Sequence, residues 1–254
     1  MISKRTLGQT GFEVSELALG SVKFGRAQGL KYPHKFQIPD DKALRELLSA
    51  AKDLGINLLD TAPAYGESES RIGKLLTEEI NSWVVSTKVG EEFDGNQSHF
   101  DFSPEAIEAS VYRSMKRLGK ESLDIVLVHS NGDDEAVLLR FGALEKLQDL
   151  KKRGLVRAVG VSYKTHLGAQ IAISQKADVI MATLNLSDTS HKNSIYEAHK
   201  ANIGVLIKKP FDSGHNASPS SLQFVLSHEE VSSAVIGTTN IEHLEDNTRW
   251  LKHS

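Results

Sequence analysis

The chain has 254 residues, 39% of them hydrophobic, and this length is sufficient for one large core. A formal net charge of −3 at neutral pH argues against a nucleic-acid partner. Because the sequence contains no cysteine, disulfides, a thiolate nucleophile and a zinc–cysteine site are excluded, and its ten histidines match no metal-binding spacing.

The N-terminal segment MISKRTLGQTGFEV lacks the apolar stretch that a signal peptide needs. No window of the sequence approaches the roughly 18 apolar residues that a transmembrane helix requires. Together with the absence of cysteine, these features predict a cytoplasmic protein that does not interact with membranes.

The predicted elements alternate between strands and helices. A short hairpin is predicted over residues 5–14, with glycines at its turn. Eight short apolar runs follow as predicted strands, at residues 17–20, 56–60, 83–88, 124–129, 156–162, 179–185, 204–208 and 233–237. Most of these runs are continuous rather than alternating, as expected of strands buried on both faces. Amphipathic stretches between them predict helices, with start signals at Ser103, Ser218 and Asn240 and glycine stops at Gly55, Gly119 and Gly154.

This alternation predicts an α/β fold, a single (β/α)8 TIM barrel over residues 1–254. The N-terminal hairpin is expected to close the bottom of the barrel, away from any site. An open doubly wound sheet is the alternative. Such a sheet usually carries a Gly-x-Gly-x-x-Gly turn after its first strand when it binds a dinucleotide, and the sequence has none.

Polar residues close three successive predicted strands, namely Asp60, Lys88 and His129, and Tyr65 follows Asp60 in the next loop. A titratable residue at the end of a buried strand is costly unless it is paired or functional. In a (β/α)8 barrel the carboxyl ends of the strands face the active site, so we expect these four side chains to meet there. Each residue alone has an ordinary structural explanation, but their joint placement favours catalysis.

The chemistry expected of this group is metal-free carbonyl reduction. Asp60 is expected to provide the counter-charge that a buried Lys88 needs, and the lysine cation to lower the pKa of Tyr65 from its reference of about 10. A tyrosine tuned in this way is a proton donor for an oxygen that becomes an alkoxide, and His129 is expected to orient that oxygen. The reaction requires an external hydride source.

Several segments resemble the aldo-keto reductases, over nearly the whole chain and in the same order. They are RTLGQTGFEVSELALG at the N-terminus, LLDTAPAYGESESRIGKLL with Asp60 and Tyr65, STKVG with Lys88, DIVLVHS with His129, RAVGVS and VIGTTNIEHLEDN. The resemblance implies a (β/α)8 barrel that binds NADPH across its C-terminal face and uses these four residues as a catalytic tetrad. It further implies that hydride goes to an aldehyde or ketone and that Tyr65 protonates the oxygen.

The resemblance also implies a set of cofactor-binding residues. They are Gly20, Ser21, Asp60, Ser162, Asn185, Lys208, Gly237, Thr238, Thr239, His243, Asp246 and Asn247. Ser162 and Asn185 are expected beside the nicotinamide carboxamide and ribose. The members between 237 and 247 are expected around the adenosine phosphate and the adenine.

Part of this cofactor shell departs from the family pattern. Tyr163 replaces the usual asparagine, and Met181 replaces the usual glutamine that contacts the carboxamide. Lys208 stands where an aromatic side chain often stacks on the nicotinamide, and Lys208 or Lys209 is an alternative contact for the pyrophosphate.

The basic residues that many members use on the 2′-phosphate are Gly237 and His243 in this chain. This weakens the electrostatic preference for NADPH, since a dianionic phosphate favours Arg or Lys. NADP remains the expected cofactor, with NAD possible, and weak discrimination between the two is expected.

The predicted function is NAD(P)H-dependent reduction of a small-molecule aldehyde or ketone by a monomer or weak oligomer. One alternative is a redox sensor or regulatory subunit on the same scaffold, which binds NADPH with little turnover. A second is a cofactor-free barrel hydrolase or isomerase, although the sequence offers it no metal cluster and no nucleophile. The candidate residues for the walls of the substrate pocket are aromatic side chains of predicted loops: Phe24, Tyr32, Phe36, Phe93, Phe100 and Phe102.

Overall fold

The computed structural model describes residues 2–30, 32–33 and 36–251. Its strands, in chain order, are β1 (Lys4–Thr6), β2 (Glu13–Ser15), β3 (Leu17–Gly20), β4 (Leu58–Asp60), β5 (Val84–Val89), β6 (Glu91–Phe93), β7 (Ser98–Phe100), β8 (Leu123–His129), β9 (Val156–Ser162), β10 (Val179–Thr183), β11 (Gly204–Lys208) and β12 (Ser233–Ile236). Its α-helices are α1 (Val22–Gly25), α2 (Asp41–Asp53), α3 (Ser68–Leu75), α4 (Pro104–Leu118), α5 (Ala143–Lys152), α6 (His166–Ser174), α7 (Lys192–Lys200), α8 (Pro219–Leu226) and α9 (Ile241–Leu251).

The long apolar strands form a closed barrel in the order β3-β4-β5-β8-β9-β10-β11-β12, and β12 pairs with β3 to complete it. Every pairing around this barrel is parallel. Parallel strands that share one direction place all their carboxyl ends at the same rim. The predicted (β/α)8 barrel is therefore confirmed, and the open sheet is not observed.

The N-terminal hairpin, β1 with β2, closes the opposite end of the barrel as predicted. Leu7, Phe12 and Val14 are buried in one cluster with barrel-interior residues such as Leu58 and Ile125. A methyl group added at Gly8 would lie 2.3 Å from the backbone nitrogen that starts β11, so the turn is pressed directly against the barrel. Removing these apolar side chains from water stabilises the floor of the barrel.

The larger apolar cluster lies between the barrel and its surrounding helices. The predicted helix boundaries are observed where side chains cap the backbone. The Ser103 hydroxyl accepts from the Ala106 amide at the start of α4, and the Ser218 hydroxyl accepts from the Ser221 amide at the start of α8. Gly119 ends α4 in the left-handed conformation (φ 68°), which glycine adopts without strain.

The strands predicted over 17–20, 156–162 and 204–208 have the observed bounds, and the boundaries of the other five differ by one or two residues. The strand predicted over 179–185 ends at Thr183, because the Asn185 side chain accepts from the backbone amides of Ser187 and Asp188 and turns the chain. The hairpin of β6 and β7 was not predicted, because each strand has only three residues and little apolar content. Across the described ranges, no helix is both long and apolar enough to cross a bilayer.

Candidate active site

The four side chains singled out by the sequence meet at the carboxyl-terminal rim of the barrel. Asp60 and His129 are the last residues of β4 and β8, and Lys88 lies one residue before the end of β5, the strand between them. Tyr65 ends a 3₁₀ turn, Pro63–Tyr65, directly after β4. All four line one cavity of about 890 Å³, so the predicted convergence is observed.

Lys88 and Asp60 form a buried ion pair. The lysine Nζ lies 2.8 Å from each carboxylate oxygen of Asp60 and donates a further hydrogen bond of 2.9 Å to the Thr61 carbonyl. Only 1% of the lysine side chain and 5% of the aspartate side chain are exposed. Burial alone lowers the pKa of Lys88, but Asp60 and Tyr65 more than offset this, so the pKa is raised and the ammonium persists.

Tyr65 lies above this pair, with the Lys88 Nζ 4.9 Å from the centre of its ring. Burial raises the pKa of Tyr65, Lys88 pulls it down, and Asp60 and Glu91 raise it further, so that the net shift is upward. The net decrease expected from the sequence is therefore wrong, although Lys88 acts in the expected direction. Burial has the larger effect because a phenolate loses much solvation energy inside the protein. Its attraction to Lys88, which Asp60 already neutralises, does not compensate for that loss.

His129 packs edge-on against Tyr65, with the ring centres 6.3 Å apart. Its Nδ1 lies 2.8 Å from Glu91 Oε2, although the angle is too oblique for a well-aligned hydrogen bond. Burial lowers the pKa of His129, and Glu91 opposes this only in part, so that the net shift favours the neutral ring. The sequence reasoning missed Glu91, although a carboxylate three residues after Lys88 in a mouth loop was a readable signal.

Lys208 reaches across the rim from the end of β11. Its Nζ donates to the Ser162 hydroxyl at 2.9 Å and to the Tyr163 carbonyl at 2.8 Å. Burial, followed by repulsion from Lys209, Lys164 and Lys88, lowers the pKa of Lys208 to about 7. A lysine held by neutral acceptors beside other cations is suited to an anionic ligand.

Most of the residues predicted to bind cofactor line the same cavity. They are Gly20, Ser21, Asp60, Ser162, Lys208, Gly237, Thr238, His243, Asp246 and Asn247. Among the described residues, Asn185 and Thr239 do not reach its surface. The Asn185 side chain is instead committed to its own loop, where it also donates to the Lys209 carbonyl at 3.0 Å.

The two family-atypical positions on the β9 and β10 side are buried residues that line the cavity. Tyr163 is 1% exposed, and its ring packs edge-on against His191 with the ring centres 5.1 Å apart. Met181 is 2% exposed and lines the cavity floor. Neither side chain supplies the amide group that the family pattern places there.

The aromatic residues proposed for the substrate pocket divide into two groups. Phe24 and Phe102 are core residues, 0% and 4% exposed, and Phe93 is covered by the Arg26 guanidinium at 3.8 Å. Phe100 stacks on Phe102, whereas Tyr32 lines the cavity and Phe36 contacts Tyr32 edge-on. Two aromatic wall residues were missed, Phe211 and Trp250, because they follow β11 and β12 at distances that no local pattern marks.

A closed parallel barrel with a buried lysine–aspartate pair, a tyrosine and a histidine at one mouth is an arrangement chemically suited to proton transfer to or from an oxygen. The sequence profile described as the aldo/keto reductase family matches residues 16–217. The chain belongs to this family, and it is therefore an oxidoreductase whose general chemistry is carbonyl reduction.

Similar proteins extend over nearly the whole chain. A candidate aldo-keto reductase from Pseudomonas aeruginosa, known from its crystal structure, is 41% identical with a TM-score of 0.90, and the match covers 98% of this chain and 94% of that one. L-galactose dehydrogenase from Arabidopsis thaliana is 26% identical over 97% of this chain and 87% of its own length. The NADH-specific methylglyoxal reductase of Escherichia coli is 28% identical over 84% of this chain and 68% of its own length.

Proposed function

We propose that this protein reduces an aldehyde or ketone to an alcohol, with hydride from a reduced nicotinamide nucleotide and a proton from Tyr65. The observation that carries the proposal is the meeting of Tyr65, Lys88, Asp60 and His129 at one end of a large cavity. Family membership supplies the general reaction, and the geometry of these four residues supports the individual roles.

Tyr65 is the proposed proton donor because burial keeps its phenol protonated at neutral pH. As the carbonyl carbon gains hydride, negative charge develops on the oxygen, and the Tyr65 proton moves to that oxygen. The phenolate that remains lies beside the Lys88 ammonium, which Asp60 keeps charged and in place. The lysine thus stabilises the tyrosine in the only state in which the tyrosine carries charge.

The cavity suits a dinucleotide. Its volume of about 890 Å³ falls toward the upper end of the roughly 300–1,000 Å³ that is usual for small-molecule sites. It runs from Tyr65 to the first turns of α9, and Lys164, Lys208 and Lys209 place positive charge on its wall. When bound, the nicotinamide nucleotide supplies the hydride. Lysine side chains are suited to its pyrophosphate, and the N-terminus of α9 offers a favourable dipole for a phosphate.

We propose NADPH as the preferred nucleotide, with little discrimination against NADH. The cavity wall near α9 presents Gly237, His243 and Asp246. The basic side chain of Lys23 also lines the cavity, with its Nζ 4.3 Å from the centre of the Tyr32 ring, and the Tyr32 hydroxyl lies 3.0 Å from a methyl group placed on Gly237. The Asp246 carboxylate is held by Arg249 at 2.7 Å, which partly neutralises the acidic group. The specificity in the name of the Escherichia coli relative is compatible with NADH being used on this scaffold.

The deciding experiment is steady-state oxidation of NADPH and of NADH with para-nitrobenzaldehyde as the carbonyl probe. Turnover that depends on both protein and aldehyde supports the reductase, and conversion of the aldehyde to the alcohol confirms the direction of hydride transfer. Tight NADPH binding without turnover of any carbonyl would favour a redox sensor, and failure to bind either nucleotide would favour a cofactor-free barrel enzyme. We further propose that the substrate is a small molecule and that the protein is a monomer or a weak oligomer. Light scattering on the purified chain tests the oligomeric state.

A further inference from the structure

Glu91 is the first residue of β6, which follows the strand that carries Lys88. Its side chain is only 14% exposed, and Oε2 lies 2.8 Å from His129 Nδ1. That ring nitrogen is fully buried, while the His129 side chain as a whole is 19% exposed and lines the cavity. Nδ1 is therefore the ring nitrogen beside the carboxylate, within contact distance although without an aligned hydrogen bond, and Nε2 is the ring nitrogen left for the cavity that His129 lines.

Arg26 lies at ion-pair distance from this carboxylate. Its Nη1 lies 3.9 Å from Glu91 Oε1 and donates a 2.9 Å hydrogen bond to the Ala64 carbonyl, one residue before Tyr65. The Arg26 side chain is 10% exposed, and its guanidinium stacks on Phe93, which lies on the same short strand as Glu91. Arg26 therefore lies between Glu91 and the turn that carries Tyr65, hydrogen-bonded to the turn and paired electrostatically with Glu91.

The backbone around this link leaves little room for movement. A methyl group added at Gly25 would lie 2.5 Å from the Tyr65 carbonyl and 2.3 Å from the Ser68 amide nitrogen. Such contacts are far inside van der Waals distance, so the chain leading into Arg26 is packed directly on the tyrosine turn. The Arg26–Glu91 link is consequently built on a rigid frame.

We propose that Glu91, which lies beside the Arg26 guanidinium, is a positioning residue that fixes the proton of neutral His129 on Nδ1, so that Nε2 faces the substrate as an acceptor. An ionised carboxylate only accepts hydrogen bonds, and a neutral imidazole has one donor and one acceptor nitrogen. The effect of this tautomer on catalysis rests on the proposed function. At Nε2, a neutral His129 accepts a hydrogen bond from the hydroxyl of an alcohol, whereas only its imidazolium form donates a hydrogen bond to a carbonyl oxygen; the proton itself is exchanged with Tyr65.

The charges around His129 come from several elements. Glu91 on β6 favours the imidazolium, while burial, Lys88 on β5 and Lys208 on β11 disfavour it, and Tyr65 faces it as a neutral phenol. Glu91 itself stays ionised throughout the working range. Burial raises its pKa, but His129, Ser98 and Arg26 bring that pKa down to about 2. Glu91 is the acidic group that favours the charged ring, and its loss lowers the pKa of His129 further.

The first test compares Glu91→Gln with Glu92→Gln, the same change at the next residue of the hairpin. The Glu92 carboxylate contacts Arg113 instead and makes no contact with His129. The measurement is kcat/KM for NADPH-dependent reduction of para-nitrobenzaldehyde from about pH 5 to about pH 9. In Glu91→Gln, the pH at which kcat/KM for reduction has fallen by half should decrease by at least about one unit. At pH values above that midpoint, kcat/KM should then be about tenfold lower than in the wild type. In Glu92→Gln the midpoint should not move, and equal midpoints in the two variants would overturn the proposal.

The second test needs no turnover. NMR of isotope-labelled histidine reports which ring nitrogen carries the proton, and the His129→Asn variant identifies the signal among the ten histidines. Above its pKa, wild-type His129 should be protonated on Nδ1, and Glu91→Gln should lose this preference. A wild-type ring protonated on Nε2 would overturn the inference. A chain that reduces no carbonyl but shows the Nδ1 tautomer would instead contradict the proposed function alone.

Discussion

Lys88 and Asp60 satisfy each other almost completely inside the protein. The Lys88 Nζ contacts both oxygens of the Asp60 carboxylate at 2.8 Å and uses its remaining proton on the Thr61 carbonyl. Neither side chain has more than 5% of its surface exposed. The pair is therefore a structural unit of the barrel rim as well as the support of Tyr65.

Removal of one partner should be far more damaging than removal of both. Asp60→Ala leaves a buried ammonium without a counter-charge, and we expect a loss of about 3–5 kcal/mol in the free energy of unfolding. The double variant Asp60→Ala with Lys88→Met should recover part of this loss, as measured by urea denaturation. Glu46→Ala, which removes an exposed pair on α2, should change stability by less than about 1 kcal/mol. A double variant no more stable than the single variant would contradict this view of the pair.

Tyr65→Phe should remove the proton donor and leave the cavity almost unchanged in shape. We expect kcat for carbonyl reduction to fall by roughly 10²–10⁴-fold, the usual contribution of a general acid. NADPH affinity, measured by fluorescence titration, should remain within about threefold of wild type, since Tyr65 is not among the residues proposed to bind the nucleotide. A variant that keeps most of its activity would show that another group donates the proton.

Lys208 should make nucleotide binding dependent on pH. Its pKa of about 7 means that the free protein holds the ammonium below pH 7 and loses it above. A bound pyrophosphate favours the ammonium and raises that pKa, so binding takes up a proton once the pH exceeds 7. The affinity should be highest below pH 7 and fall by up to about tenfold per unit as pH rises through and beyond 7.

Fluorescence titration with NADH tests this, because the pyrophosphate does not titrate in that range. In Lys208→Met, NADH should bind more weakly, and its affinity should be nearly independent of pH. Lys152→Met, on the exposed face of α5, should behave as wild type. A wild-type profile that is already flat would mean that Lys208 does not contact the phosphates.

The preference for NADPH over NADH should be less than about a thousandfold, or ~4 kcal/mol. The reason is that Gly237 and His243, rather than Arg or Lys, occupy these two positions of the cavity wall beside α9. His243→Arg should increase the preference for NADPH by about tenfold, since a guanidinium adds charge-assisted hydrogen bonds to a phosphate. The ratio of the dissociation constant for NADH to that for NADPH measures this preference. A wild-type ratio above a thousandfold would be incompatible with this proposal.

The sequence predicted the barrel because its signals are local. Predominantly apolar runs such as 156–162 and 204–208 coincide with the observed strands β9 and β11, and serine caps at Ser103 and Ser218 start the helices where expected. The four-residue cluster was predictable for a related reason. A residue at the carboxyl end of a parallel strand has its location decided by the strand itself, whatever the loops do.

Loop residues do not follow that rule. Asn185 matched the family pattern but is held in its own turn, and Phe24 and Phe102 are core residues rather than pocket walls. Glu91 and Trp250 belong to the cavity and its surroundings through contacts between segments distant in sequence. Such placements depend on packing that no short-range periodicity encodes.

The sequence by itself therefore determined the fold, the rim on which the site lies and the four side chains that meet there, because strand periodicity and strand direction are properties of short segments. The tertiary structure decided the electrostatics of the site. Burial reversed the expected net pKa shift of Tyr65, brought the pKa of Lys208 to about 7 and placed Glu91 against His129. These effects arise from desolvation and from contacts between remote elements, which exist only once the chain has closed around the cavity.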